Sequence, residues 1–215
     1  MTATCDFSLT HYRDLLEAAR RGGYRCAGFD HPPEPRTIIL RHDVDLSLQA
    51  ALAVAEVEAD AGMWSTWFLM TRSVFYNLAS AEGERAIERL RELGHRVGHH
   101  AVWPDVDLDD RFDPVVAWHN PDPEYMQATI PGAVNVMEAR FFDPAHYRSD
   151  SNQHWRHGCP HSELERGEFD WLQLLTHPEI WAFEGETMRE SMESMLDAER
   201  AARFEHLRND RIDLT

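Results

Sequence analysis

The chain has 215 residues, enough for one domain with a sizeable core. Its 38 Asp and Glu outweigh 21 Lys and Arg, a formal charge of -17 at pH 7, and every cation is an arginine. The missing lysine excludes Schiff-base, pyridoxal-phosphate and P-loop chemistry. The acid excess speaks against nucleic acid or an anionic membrane surface as partner.

Along the chain, the N-terminus lacks a cationic start followed by an apolar core, so no signal peptide is expected. Residues 8–21 pattern as an amphipathic helix capped by Ser8 or Thr10 and ended by Gly22-Gly23. TIILRH at 37–42 is a buried strand and 47–61 an Ala-rich helix capped by Ser47 and closed by Gly62. A strand at 64–70, a helix at 81–93 ending at Gly94 and a strand at 95–100 continue the alternation. Residues 103–132 are rich in Pro and Asp, a long loop with one strand candidate at 115–119. Two more strands are expected at 145–150 and 170–176. A helix follows at 186–208, with Met188, Met192 and Met195 as a core-facing stripe. Strands alternating with helices imply an α/β fold with a parallel sheet or barrel in one domain, 1–215. No run reaches the ~18 apolar residues of a membrane span, so a soluble cytoplasmic protein is expected. Cys5, Cys26 and Cys159 are far apart with no CxxC, so neither a disulfide framework nor a thiolate zinc site is expected.

Ten of the 13 histidines lie between His42 and His177. The polar clusters fall at strand ends, where parallel α/β folds gather their chemistry. Asp43 and Asp45 flank Val44 after TIIL, so both point to one side; a metal or a nearby Arg would relieve their repulsion. In GHRVGHH, His95 and His99 share one face and His100 takes the other, and either His99 or His100 can meet the aspartates. His119 ends the third cluster. Arg148 and Asp150 form the fourth, followed by Trp155 and Arg156, a stacking wall and polar contacts for a substrate such as a sugar. His177, fixed by Pro178 after an apolar strand, is a general-acid position. Together they fit an open Zn²⁺-type site for metal-assisted amide hydrolysis. His11, His31 and His206 are read as surface residues.

The order RHDVD, GHRVGHHA, YRSDSN and LLTHPEIW resembles the NodB-like polysaccharide deacetylases (carbohydrate esterase family 4) over about residues 36–181. The resemblance implies a distorted, incomplete (β/α) barrel of about seven strands, like part of a TIM barrel. It implies a divalent metal, zinc first with Fe, Co, Ni or Mn as alternatives. It makes Asp43 the base, Asp45 a metal ligand, His100 the first metal histidine, Arg148 the Arg supporting the base and His177 the acid. Two departures stand out. Val44 separates aspartates that are adjacent in the family, leaving their roles interchangeable. The second metal histidine falls on Pro104, which makes His119 and then His99 the candidates to replace it, with His177 a further one. The implied function is removal of an acyl group, acetyl first, from a small amino-sugar derivative or natural-product intermediate. A non-catalytic sugar-binding relative, or other metal chemistry such as iron redox on the same scaffold, are the alternatives. Oligomeric state is left open.

Overall fold

A computed structural model describes residues 5–104 and 106–212. Residues 1–4 of the stretch read for a signal peptide, Asp105 of the long loop, and residues 213–215 lie outside the described residues.

Helix α1 (Leu9–Arg21) begins at Ser8, whose hydroxyl accepts from the His11 amide, so Ser8 is the cap rather than Thr10. Strand β1 (Arg25–Cys26) leads to β2 (Thr37–Val44), and Ser47 caps α2 (Leu48–Asp60). Then come β3 (Thr66–Leu69), α3 (Ala81–Glu92), β4 (Arg96–Ala101), β5 (Val115–Trp118), β6 (Val134–Asn135) and β7 (Tyr147–Ser149). Helix α4 (His161–Arg166), β8 (Trp171–Thr176), α5 (Pro178–Ala182) and α6 (Met188–Asn209) complete the chain. The elements missed by pattern reading are β1, β6, α4 and α5. Strands of two residues and helices of five or six are too short to show a period.

All strand pairs are parallel, in the order β6-β5-β4-β3-β2-β8-β7, with β1 beside the start of β2. The seven-strand path curls into an open half-barrel, because β6 and β7 end the sheet without pairing to each other. This is the incomplete barrel expected. Every residue of β2 is buried, as befits the central strand of a sheet covered on both faces.

Alternation along β2 divides the core. Ile38, Leu40 and Val44 pack with Tyr12, Leu15, Leu16 and Val54 of α1 and α2 on the outer, helix side. Ile39 joins Phe29, Phe68, Ala117 and Phe141 on the inner side. Gly98 of β4 faces inward, where a Cβ would sit 2.7 Å from Val115 and 2.8 Å from Phe68. Only glycine lets β3, β4 and β5 close up there. Helix α6 starts with a full capping box between Thr187 and Glu190, but of its residues only Ser191 and Met195 are fully buried. Met188 packs at the edge of the outer core and Met192 is half-buried, so the methionine stripe covers only the first turns. No described helix is long and apolar enough to cross a membrane.

Candidate metal centre

The inner phase of four strands, carried one or two residues past their ends, gathers the polar groups. Arg41 and Asp43 lie in β2 and Asp45 just past it; His100 is the penultimate residue of β4; His119 follows β5; His177 follows β8. All share the inward phase, so strand geometry alone aims them at one space.

Asp45, His100 and His119 converge. Asp45 Oδ1 lies 2.9 Å from His100 Nε2 and 3.1 Å from His119 Nδ1, and the two nitrogens are 3.1 Å apart. Donors on one face of an octahedral ion with ~2.1 Å bonds sit ~3.0 Å apart, and on tetrahedral zinc ~3.4 Å. An ion therefore fits over this triangle with at least one position open.

At His100 a surrounding bond sets the tautomer a metal needs. Register places Ala117 beside His100, and His100 Nδ1 donates to the Ala117 carbonyl at 3.0 Å, leaving the Nε2 lone pair facing the triangle. The Asn120 amide is 3.2 Å from the other nitrogen of His119. Protons alone serve the triangle badly, since His100 and His119 would both have to aim N–H at Asp45 and so at each other. A shared cation removes that conflict. Burial works to raise the Asp45 pKa, but the bonds from His100 and His119 outweigh it and hold the carboxyl well below the usual range. Asp45 accordingly raises the pKa of His119.

Asp43 is buried and gripped by Arg41, with Nε to Oδ1 at 2.8 Å and Nη2 to Oδ2 at 2.7 Å. This bidentate pair keeps Asp43 ionised, against burial that pushes its pKa up. Asp43 Oδ2 is 3.9 Å from His100 Nε2, so the carboxylate borders the triangle. Arg41 also donates to Gln173 Oε1 at 3.3 Å, which locks the guanidinium on the inner face.

His177 sits over Asp150. Its Nδ1 is 2.7 Å from Asp150 Oδ1, its amide donates to Oδ2 at 3.0 Å, and Trp181 Nε1 donates to Oδ2 at 2.7 Å. Burial lowers an imidazole pKa, but the Asp150 carboxylate overrides it and pushes His177 up to about 10. His177 in turn helps to lower the pKa of both Asp43 and Asp45.

Other expected residues lie elsewhere. Arg148, expected behind the base, instead reaches Glu163 Oε1 at 3.3 Å and covers the Phe169 ring; the Arg that meets Asp43 is Arg41, two residues away on the same strand face. Asp150, expected to touch substrate, is 0% exposed and lies beneath His177. Trp155, expected as a stacking wall, packs into the outer core beside Phe7 and Trp181. Arg156 is exposed. His99 is on the outer phase of β4, edge-on to Phe112, and not at the triangle. His11, read as a surface residue, is buried, whereas His31 and His206 are exposed.

Two further groups escaped pattern reading. Glu58 is fully buried behind β2, accepting from Tyr12 Oη at 2.6 Å, Ser65 Oγ at 2.5 Å and His42 Nε2 at 2.8 Å. His42 is the outward neighbour of Asp43 and also meets Thr176 Oγ1 at 2.7 Å, so this network fixes β2 from behind. A Glu two residues after the exposed Glu56 in an Ala-rich helix gives no warning of it. Glu179 on α5 is buried with Oε2 unpartnered, and burial pushes it up to about 8. It follows His177 by two residues, a spacing that carries no recognisable signal.

A cavity of about 100 Å³ lined by Met70, Thr71, His99 and His100 adjoins the triangle. A larger groove of about 390 Å³ runs along α6, lined by Val74, Phe75, Leu196 and Phe204, and includes none of the candidate site residues. The chemistry, rather than the volume, locates the site.

No family model, curated protein or solved structure matches the chain.

Proposed function

We propose that this chain is a metal-dependent hydrolase that removes an acyl group, acetyl first, from the nitrogen of a small substrate such as an amino-sugar derivative. The observation that carries the reading is the convergence of Asp45, His100 and His119 on one point, with the Asp43 carboxylate at its border. A divalent ion held there, zinc before Fe, Co, Ni or Mn, would polarise the amide carbonyl and acidify bound water. Asp43, held ionised by Arg41, takes the proton of the attacking water. His177, protonated below about pH 10, gives its proton to the departing amine. Asp150 keeps that imidazole oriented and charged. The resemblance to NodB-like deacetylases supports the same reading, with Arg41 in place of Arg148 and His119 in place of the histidine missing at 104. The small adjoining cavity supports a small substrate.

Two histidines and a carboxylate also suit non-haem iron. The acid–base pair favours hydrolysis, because oxygen activation does not require one. Metal-loaded and EDTA-treated protein, given a panel of N-acetylated amino sugars, discriminates by acetate release. Hydrolysis predicts acetate from at least one compound, abolished by chelation and by His100→Ala. Oxygen uptake with Fe²⁺, or substrate binding unaffected by EDTA and by His100→Ala, overturns it.

A further inference from the structure

The fold brings Cys5, from the segment before α1, against Cys159, from the loop before α4, although sequence spacing spoke against a thiolate metal site. His11 of α1 completes the group, and the two sulfurs and one ring nitrogen all lie within 4.8 Å of one another. His11 Nε2 is 3.2 Å from Cys159 Sγ. On tetrahedral zinc with Zn–S bonds of ~2.3 Å, sulfurs sit ~3.8 Å apart, inside that limit. Both cysteines are free thiols, half-buried, and Trp155 Nε1 donates to Cys5 Sγ at 3.4 Å. A candidate fourth donor lies beside this group, outside the three that already converge. His161 Nε2 is buried with no hydrogen-bond partner, and its ring meets that of His11 edge-on with centroids 5.7 Å apart.

We propose that Cys5, His11 and Cys159, joined by His161, bind a structural zinc-class ion on the outer side of the half-barrel, separate from the Asp45 centre. Two thiolates and imidazole are soft-to-borderline donors that select Zn²⁺ over Mg²⁺ or Ca²⁺, and a closed four-donor set is structural rather than catalytic. The location gives the ion a task. Residues 150–160 contain only one short 3-10 turn of regular structure, and residues 5–8, the described part of the segment before α1, have none. The ion would staple them together. The His11 ring stacks parallel to Trp181, 6.3 Å between centroids, and Trp181 donates to Asp150. The staple therefore braces the aromatic floor under His177. Binding requires loss of the thiol protons, so it weakens as pH falls.

The test is cobalt substitution of the full-length protein under reducing conditions, because only a thiolate site gives a sulfur-to-cobalt charge-transfer band in the near ultraviolet. The band is expected in the wild type and in His100→Ala, and absent in Cys159→Ser. Total bound metal should fall from two equivalents to one in either variant. A wild-type protein that binds cobalt without the band overturns the proposal. So does alkylation mass spectrometry showing Cys5 and Cys159 joined as a disulfide in protein purified with no metal at this site. The wild-type spectrum decides the matter even if Cys159→Ser does not fold. Failure of the Asp45 centre would leave the band intact, so the two readings fail separately.

Discussion

Replacing Asp150 with asparagine isolates what keeps His177 charged. The substitution preserves volume in a fully buried position, removes the negative charge and turns one acceptor oxygen into a donor. Asp150 accepts from the His177 ring at 2.7 Å, from the His177 amide and from Trp181. Its charge is the main force against burial, which by itself would take His177 below the ordinary 6.5. The shift from 6.5 to about 10 should therefore vanish or reverse. A loss of ~3.5 units corresponds to ~5 kcal/mol of preference for the imidazolium. Two assays read it. NMR titration of labelled histidine should move the His177 midpoint from near 10 to 6.5 or lower. The alkaline limb of kcat/KM should move with it, so that the variant loses activity already at neutral pH. Linkage adds a third readout. A raised folded pKa contributes stability that is complete below 6.5 and is lost as pH rises through about 10. Wild-type stability should therefore decline across that window, and Asp150→Asn should flatten the decline. A His177 midpoint unchanged in the variant would refute the reasoning, for it would mean that the charge is held by something other than Asp150.

Arg41→Met should cost ~3–5 kcal/mol in urea unfolding, because it leaves the Asp43 carboxylate buried without its partner; Arg148→Ala, remote from Asp43, should leave the metal affinity unchanged. Gly98→Ala should cost ~1–3 kcal/mol in the same assay, since the added methyl meets Val115 and Phe68 at under 3 Å. Ser47→Ala should cost ~1 kcal/mol through the lost bond to the Ala50 amide. Glu179→Gln should keep the metal and remove a loss of stability that the wild type suffers as pH rises from 4.5 through about 8, because the carboxyl ionises in the unfolded chain but stays protonated in its buried site until about 8; calorimetry across pH 5–9 measures it.

Much of this arrangement was legible because strand phase is strict. Once TIILRH and GHRVGHH are strands, Asp43 and Asp45 must face one side and His99 and His100 opposite sides; the register across β3 then selects His100 as the partner of the aspartates. The relief of the Asp43–Asp45 repulsion was foreseen in kind, by an Arg or a metal, and the structure supplies an Arg for Asp43 and two histidines for Asp45. What pattern could not supply was contact between distant segments. Arg41 and Arg148 look equally able to serve Asp43 until β7 is placed at the sheet edge, beside Glu163 and away from the base. Asp150 and Trp155 look exposed in a polar, glycine-containing stretch until the fold puts them beneath His177 and Trp181. Cys5 and Cys159 look unrelated because nothing local says that the segment before α1 meets the loop before α4. The missing lysine gains a specific meaning: the positive charges serving these carboxylates are guanidinium, imidazolium and, on the proposed reading, a metal ion.

Anomalous diffraction at the zinc edge from metal-loaded crystals tests the central claim most directly. The account predicts a peak on the inner side of the half-barrel, ~2.0–2.2 Å from Asp45 Oδ1, His100 Nε2 and His119 Nδ1, with a further position open to solvent. Fully loaded crystals with no density there, or an ion held instead by His99 or His177 without His119, would contradict it.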